Sequence, residues 1–242
     1  MPALLLIAHG SRDPRHAATV AALVEEVRAQ RPGVEVATAY LDHCAPRIPQ
    51  VVGRLADAVA VPLLLNRAFH AKHDIPAALR AAGSRLPVAD VLGPSPLLLA
   101  ALDRRLAAAG LDVSSPAVRS STGVVLAAAG SSDPAAGAAT RAVAAEWRRT
   151  RGWAAVEVAQ ASAAGPRVPD ALAALRAAGA TRTAVAPYLL APGLLPDRIA
   201  AASDGADVLA DVLGPAPELA ALLLERYDEA RHTASAVPAL TA

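Results

Sequence analysis

Ala3-Leu4-Leu5-Leu6-Ile7-Ala8-His9-Gly10-Ser11-Arg12-Asp13-Pro14 decides how the chain is read. An unbroken apolar run is the pattern of a parallel strand buried on both faces. It ends in a histidine and a glycine turn. Asp13 then offers a cap and Pro14 a first helical residue. Ligands of open parallel sheets bind beyond the carboxyl ends of the strands, so His9 stands where chemistry is usually done. A capping or hydrogen-bonded histidine fits the same stretch, and the stretch alone leaves both roles open.

The pattern continues outward from this strand. Val20, Leu23, Val24 and Val27 recur at helical spacing, and the helix ends near Arg31-Pro32-Gly33. Val34 to Tyr40 reads as a second strand, Leu41 to Pro46 as a turn, and Ile48, Val51, Val52 and Leu55 as a second helix. Ala58 to Leu65 is a third strand. The loop Asn66-Arg67-Ala68-Phe69-His70-Ala71-Lys72-His73 precedes a helix that starts at Asp74-Ile75-Pro76. Val88 to Leu92 reads as a fourth strand and Leu97 to Ala109 as a fourth helix.

Then the order repeats. Gly10-Ser11-Arg12-Asp13-Pro14 is answered by Gly130-Ser131-Ser132-Asp133-Pro134, and Ala45-Pro46-Arg47-Ile48-Pro49 by Gly165-Pro166-Arg167-Val168-Pro169. Pro62-Leu63-Leu64-Leu65 is answered by Pro187-Tyr188-Leu189-Leu190, and Asp90-Val91-Leu92-Gly93-Pro94 by Asp211-Val212-Leu213-Gly214-Pro215. This is a whole domain duplicated in tandem. The expected fold is α/β: two lobes, each a four-stranded parallel sheet of flavodoxin-like order with helices on both faces. The expected boundaries are 1–111 for the first lobe, 112–122 for a linker, 123–231 for the second lobe and 232–242 for a loose tail.

Composition bounds the function. Hydrophobic residues make up 54% of the 242 and aromatics 2%, so the core is built from Ala, Val and Leu. A formal net charge of +1 argues against bulk binding to nucleic acid. The single cysteine, Cys44, allows no intrachain disulfide, which agrees with a reducing compartment. Met1-Pro2 leads straight into a strand pattern, and no apolar run approaches the ~20 residues of a membrane span. A soluble cytoplasmic protein is expected.

The repeat separates scaffold from chemistry. Five of the six histidines (His9, His16, His43, His70 and His73) lie in the first half, and only His232 lies in the second. The repeat partner of His9 is Ala129, that of His70 is Leu195, and Asp42 and His43 face Ser162 and Ala163. A purely structural histidine would serve both lobes equally. The loops after strands one, two and three emerge at one end of a parallel sheet, so His9 and His70 should face each other there. Imidazoles bind borderline divalent metals and take protons near neutral pH. With a carboxylate such as Asp42 they would form an open shell, suited to a metal held briefly. His43 and His73 are weaker candidates. His16, in the first turn of a helix, reads as solvated, and Cys44 as a buried filler. Gly10 and Ser11 could offer N–H groups to an anion. Arg12, Arg15, Arg47, Arg67 and Lys72 would ring the same mouth and favour a polyanion, with Phe69 against a flat ligand or in the core.

At these residues the chain resembles the class II tetrapyrrole chelatases, in particular the sirohydrochlorin chelatases of the long, two-lobed form. The resemblance rests on the strand running into Ala8-His9-Gly10-Ser11-Arg12-Asp13-Pro14, on Val61 to Leu65 running into Phe69-His70, and on Asp74-Ile75-Pro76. Ala186 to Gly193 with Asp197-Arg198-Ile199 extends it into the second half. It implies a cleft between two similar lobes and two catalytic histidines, His9 and His70. It implies a divalent metal, Fe2+ or Co2+, as substrate rather than bound cofactor, and sirohydrochlorin, a polycarboxylate tetrapyrrole, as the other substrate. Gly10, Ser11, Arg12, Arg67, Phe69 and Lys72 would hold the macrocycle, with His43 and His73 beside them. Fused lobes make a monomer sufficient for one cleft. Two positions depart from the family pattern: Asn66-Arg67-Ala68 stands where relatives often carry small residues and a glycine, and Asp42 where many have glutamate. No G-x-x-x-x-G-K loop is present, so no ATP is implied. Two rivals are a histidine phosphatase, which would need arginine where Ala8 stands, and a carrier that binds metal or tetrapyrrole without turnover.

Overall fold

The strand that opens the chain is buried throughout, as its sequence requires: Leu4, Leu5, Leu6 and Ile7 have no exposed surface. The computed structural model describes residues 1–236 apart from 56, 67–72 and 163. It is an α/β protein with two parallel sheets flanked by helices.

In the first sheet β1 (Ala3–Ala8) lies between β2 (Val36–Tyr40) and β3 (Ala58–Pro62), in parallel pairing, with Leu4 opposite Val36 on one side and Val59 on the other. After β1 comes α1 (Pro14–Gln30), capped by the Asp13 carboxylate, which accepts the Arg15 N–H at 2.9 Å. α2 (Ile48–Val52) and α3 (Ile75–Ala81) pack on the other face, where Ile48, Val52, Ile75 and Leu79 meet Leu5 and Ile7. The helices α4 (Pro96–Ala108) and α5 (Pro116–Ser121) follow. The second sheet runs β5-β4-β6-β7, from β4 (Thr122–Ala128), β5 (Ala155–Gln160), β6 (Arg182–Tyr188) and the two-residue β7 (Val208–Leu209). Around it are α6 (Pro134–Arg151), α7 (Val168–Ala177) and α8 (Leu194–Ala201), and the chain's last helix is α9 (Pro217–Ala236). No helix among the described residues is long and apolar enough to cross a membrane.

Three expectations need correction. The first sheet has three strands among the described residues. The segment expected as its fourth makes one bridge, Ala60 to Val88. Beyond it the Asp90 carboxylate accepts the Val91 N–H at 2.8 Å, and Arg226 donates to the carbonyls of Val91 and Leu92, so side chains satisfy groups that a longer ladder would use. The stretch expected as a linker, 112–122, carries a short helix: α5 occupies 116–121 with Ser115 as its cap. The tail is helical through Ala236, and 237–242 lie outside the described residues.

The compact units also differ from the sequence repeats. One comprises Met1–Ser95 with Pro215–Ala242, the other Pro96–Gly214. α9 therefore packs in the first unit. Tyr227 donates its hydroxyl to the Pro2 carbonyl at 2.6 Å, and Arg31 meets Asp228 at 2.8 Å. α4 packs in the second unit, where Asp103 accepts the Trp147 indole N–H at 2.8 Å and pairs with Arg151 at 2.7 Å. Apolar periodicity told where these helices lie in the chain; it carries no information about which sheet they cover.

The loops after β1 and β2 are held together by backbone. The Leu41 N–H donates to the Ala8 carbonyl at 2.9 Å, and the Asp42 N–H to the His9 carbonyl at 2.8 Å. Gly10 sits at φ +91°, and a Cβ there would lie 1.7 Å from the Asp42 carbonyl oxygen. The second unit repeats the device: Gly130 at φ +90° would place a Cβ 2.1 Å from the Ser162 oxygen. Only glycine supplies both the conformation and the clearance. We predict that Gly10→Ala and Gly130→Ala each cost more than about 2 kcal/mol in urea denaturation, through strain and backbone displacement. Gly53→Ala, at φ −66° with open space around it, should stay within about 0.5 kcal/mol.

Candidate active site

The carboxyl ends of β1 and β2 bring His9, Asp42 and His43 to one place, as the sequence predicted. The His9 and His43 rings are 6.3 Å apart between centroids and tilted by 48°. His9 Nδ1 lies 3.0 Å from the Gly10 carbonyl oxygen. A carbonyl can only accept, so Nδ1 donates to it, and in the neutral form of the ring the lone pair falls on Nε2. Fixing one ring nitrogen in this way is how proteins orient an imidazole for metal or proton at the other.

Asp42 is exposed but not idle. Its Oδ1 accepts the His43 N–H at 2.8 Å and lies 2.9 Å from Arg47 Nη1, while Oδ2 is 3.4 Å from His43 Nε2. The His43 N–H and the Arg47 guanidinium hold the carboxyl below the ordinary aspartate range. His43 itself has φ +62°, an uncommon backbone state for a residue with a side chain. Asp42 thus acts on the loop from both ends of His43.

Cys44 is not a passive filler. Its thiol donates to the Ser11 carbonyl at 3.1 Å and its sulfur accepts the Ser11 N–H at 3.5 Å. The Ser11 N–H, expected to serve an anion, is turned to that sulfur, and the Ser11 hydroxyl accepts the Asp13 N–H at 3.1 Å.

The expected ring of cations is reduced. Arg15 is paired with Asp13 at 2.6 Å, and Arg47 with Asp42 and the Leu41 carbonyl. Arg12 is exposed and has no ion-pair partner among the described residues. His73 is exposed, directly before Asp74 and α3. Arg67, Phe69, His70 and Lys72 lie outside the described residues. Among the described residues no group of three or more His, Cys, Asp or Glu is arranged to hold a metal.

His16 was misread as solvated. It is half-buried, its ring 6.4 Å from that of Tyr40, and its Nδ1 is buried without a hydrogen-bond partner. Burial, and secondarily the nearby imidazole of His9, push its pKa down. The signal was in the sequence: His16 precedes Val20 by four residues and so shares the buried face of α1 with Val20, Leu23 and Val27.

With this geometry in place, comparison with known proteins gives a consistent answer. The CbiX family model matches residues 3–109 and again 123–230, the two repeats. A sirohydrochlorin ferrochelatase of Priestia megaterium is 28% identical over 209 residues, covering 82% of this chain and 77% of that protein. A sirohydrochlorin cobaltochelatase of the same organism is 28% identical over 221 residues, covering 82% of this chain and 67% of that protein. Among solved structures, SirB from Bacillus subtilis with Fe3+ superposes with a TM-score of 0.80 at 24% identity, covering 97% of each chain. A family match to both halves, the same fold over the full length and the histidine loop at the end of β1 agree: the chain belongs to the CbiX family.

Proposed function

We propose that this protein inserts a divalent metal, Fe2+ or Co2+, into sirohydrochlorin, without ATP, displacing two protons from the pyrrole nitrogens. The two curated relatives are named for this reaction with iron and with cobalt. The observation that carries the reading is the place of His9 at the carboxyl end of the central strand, its Nδ1 turned to the Gly10 carbonyl.

The chemistry asks for little else. The ring's two N–H protons must leave as the metal enters, so charge balances as a 2+ ion replaces two protons. A neutral imidazole serves either half of that exchange, as ligand to the incoming ion or as acceptor of a proton. His9 stands at the strand end where either role is played, and His70 is its counterpart by family resemblance. Arg12, exposed and without an ion-pair partner among the described residues, is the side chain suited to a substrate carboxylate. Asp42 is one carbon shorter than glutamate and is held by Arg47 and His43. Its part is to set the loop rather than to bind metal.

An anaerobic absorbance time course of sirohydrochlorin with Fe2+ or Co2+ tests the reading. The wild type should convert the spectrum faster than the buffer control, and His9→Ala and His70→Ala should each lose about 10²-fold or more in rate while still binding the macrocycle. A wild type that binds tightly but turns over no faster than buffer would instead describe a carrier. A second expectation concerns pH. The folded pKa of Asp42 is depressed below the ordinary value of 3.8. The ordering it gives the His43 loop is therefore complete above that value and lost as pH falls through the folded pKa. The Asp42 carboxyl 13C resonance should keep its ionised position down to about pH 3.8 and titrate below it, and the His43 amide resonance should be displaced at neutral pH in Asp42→Asn.

A further inference from the structure

The outer edge of the second sheet carries a feature that the first lacks. β5 is an edge strand. The Gln160 N–H donates to the Pro166 carbonyl, and Arg167 donates to the Gln160 carbonyl, both at 2.9 Å. The peptide groups of Gln160 therefore face away from β4. Peptide groups alternate along a strand, so those of Val156 and Val158 face outward too. Among the described residues no hydrogen bond reaches them from outside the ladder.

The corresponding edge in the first unit is tied down at one point. Val36 holds the place of Val156, opposite Leu4 as Val156 is opposite Val124. There Arg28 donates to the Val36 carbonyl at 3.2 Å and pairs with Glu25 at 2.5 Å. Its repeat counterpart, Arg148, has no such partner among the described residues, and Glu25 is replaced by Ala145. Ala21 and Ala29 are replaced by Arg141 and Arg149. The result is a groove of about 710 Å³ between α6 and β5. Its apolar lining includes Ala144, Ala145, Val156 and Val158 beside Trp153 and Pro166, and its charged groups are three guanidiniums against one carboxylate, Glu157. Arg149 is partly neutralised by Glu146 at 2.7 Å. Arg141, like Arg148, has no ion-pair partner among the described residues.

We propose that β5 and this groove form a docking edge for an extended acidic segment of another protein, added to the sheet as a further strand. Open ladder groups supply main-chain pairing, and the valines and alanines receive alternate apolar side chains. The arginines select carboxylates on the others. A second copy of this chain is a poor occupant, because pairing edge to edge would bring two sets of arginines together. The sister repeat shows what an unused edge looks like: its arginine is folded back onto its own strand.

The probe is a fluorescein-labelled octapeptide of alternating Glu and Val, titrated against the full chain by fluorescence anisotropy. Saturable binding is expected, weakened about tenfold or more in Arg148→Glu. Hydrogen exchange at the Val156 and Val158 amides should slow when the peptide is bound. An octapeptide of alternating Glu and Pro carries the same charge but lacks the alternate amides, and it should not bind. Equal binding of the two peptides would mean attraction of anions only and would overturn the proposal. So would absence of binding, unchanged exchange at Val156 and Val158, or sedimentation showing that the chain covers this edge with a second copy of itself. Val158→Pro removes one outward N–H without touching the ladder to β4. It should lose the Glu-Val peptide while its far-ultraviolet circular dichroism stays that of the wild type; were that variant unfolded, the exchange and Glu-Pro arms still decide.

Discussion

A carbonyl oxygen pressed against a glycine is the constraint on which the rest depends. The Asp42 oxygen occupies the place where any other residue at position 10 would carry its Cβ. That approach lets the Asp42 N–H reach the His9 carbonyl and sets the first two loops side by side. The His9 ring is then locked by the Gly10 carbonyl and the His43 ring comes to 6.3 Å from it. The uncommon backbone state here is that of His43 at φ +62°, and the buried strand behind the loop holds it in place.

The duplication makes the division of labour visible. Gly130 repeats the approach to Ser162, and the Ser162 N–H repeats the bond to Ala129. Asp133 repeats the cap of Asp13. What is not repeated is the chemistry: Ala129 stands for His9, Ser162 for Asp42 and Ala164 for Cys44. The frame is needed wherever this turn is built, whereas the imidazoles and the thiol tie are found in the first repeat alone. Selective loss inside an intact frame is stronger evidence of function than the histidines would be alone.

Much of this was legible in the residues. The apolar run of β1, the Asp-Pro caps and the repeat follow from local rules, and local rules place His9 and Asp42 at strand ends. The failures share one cause, which is that long-range partners leave little local trace. α4 and α9 were assigned to the sheets nearest in sequence, but Asp103 found Trp147 and Arg151, and Asp228 found Arg31. The segment 88–92 looked like a strand because its apolar pattern is one. Arg226, more than a hundred residues on, takes its carbonyls. His16 is the exception, since its spacing from Val20 placed it on the buried face all along.

The central claim is that metal handling resides in the His9 loop of the first repeat. The most direct test is an anaerobic titration with paramagnetic Co2+, followed by imidazole 15N resonances of the histidine-labelled protein. The account predicts that His9 Nε2 broadens at the lowest metal concentrations while His9 Nδ1 keeps its proton and His232 is unaffected. Early broadening of His232 or of His9 Nδ1, with His9 Nε2 untouched, would contradict it.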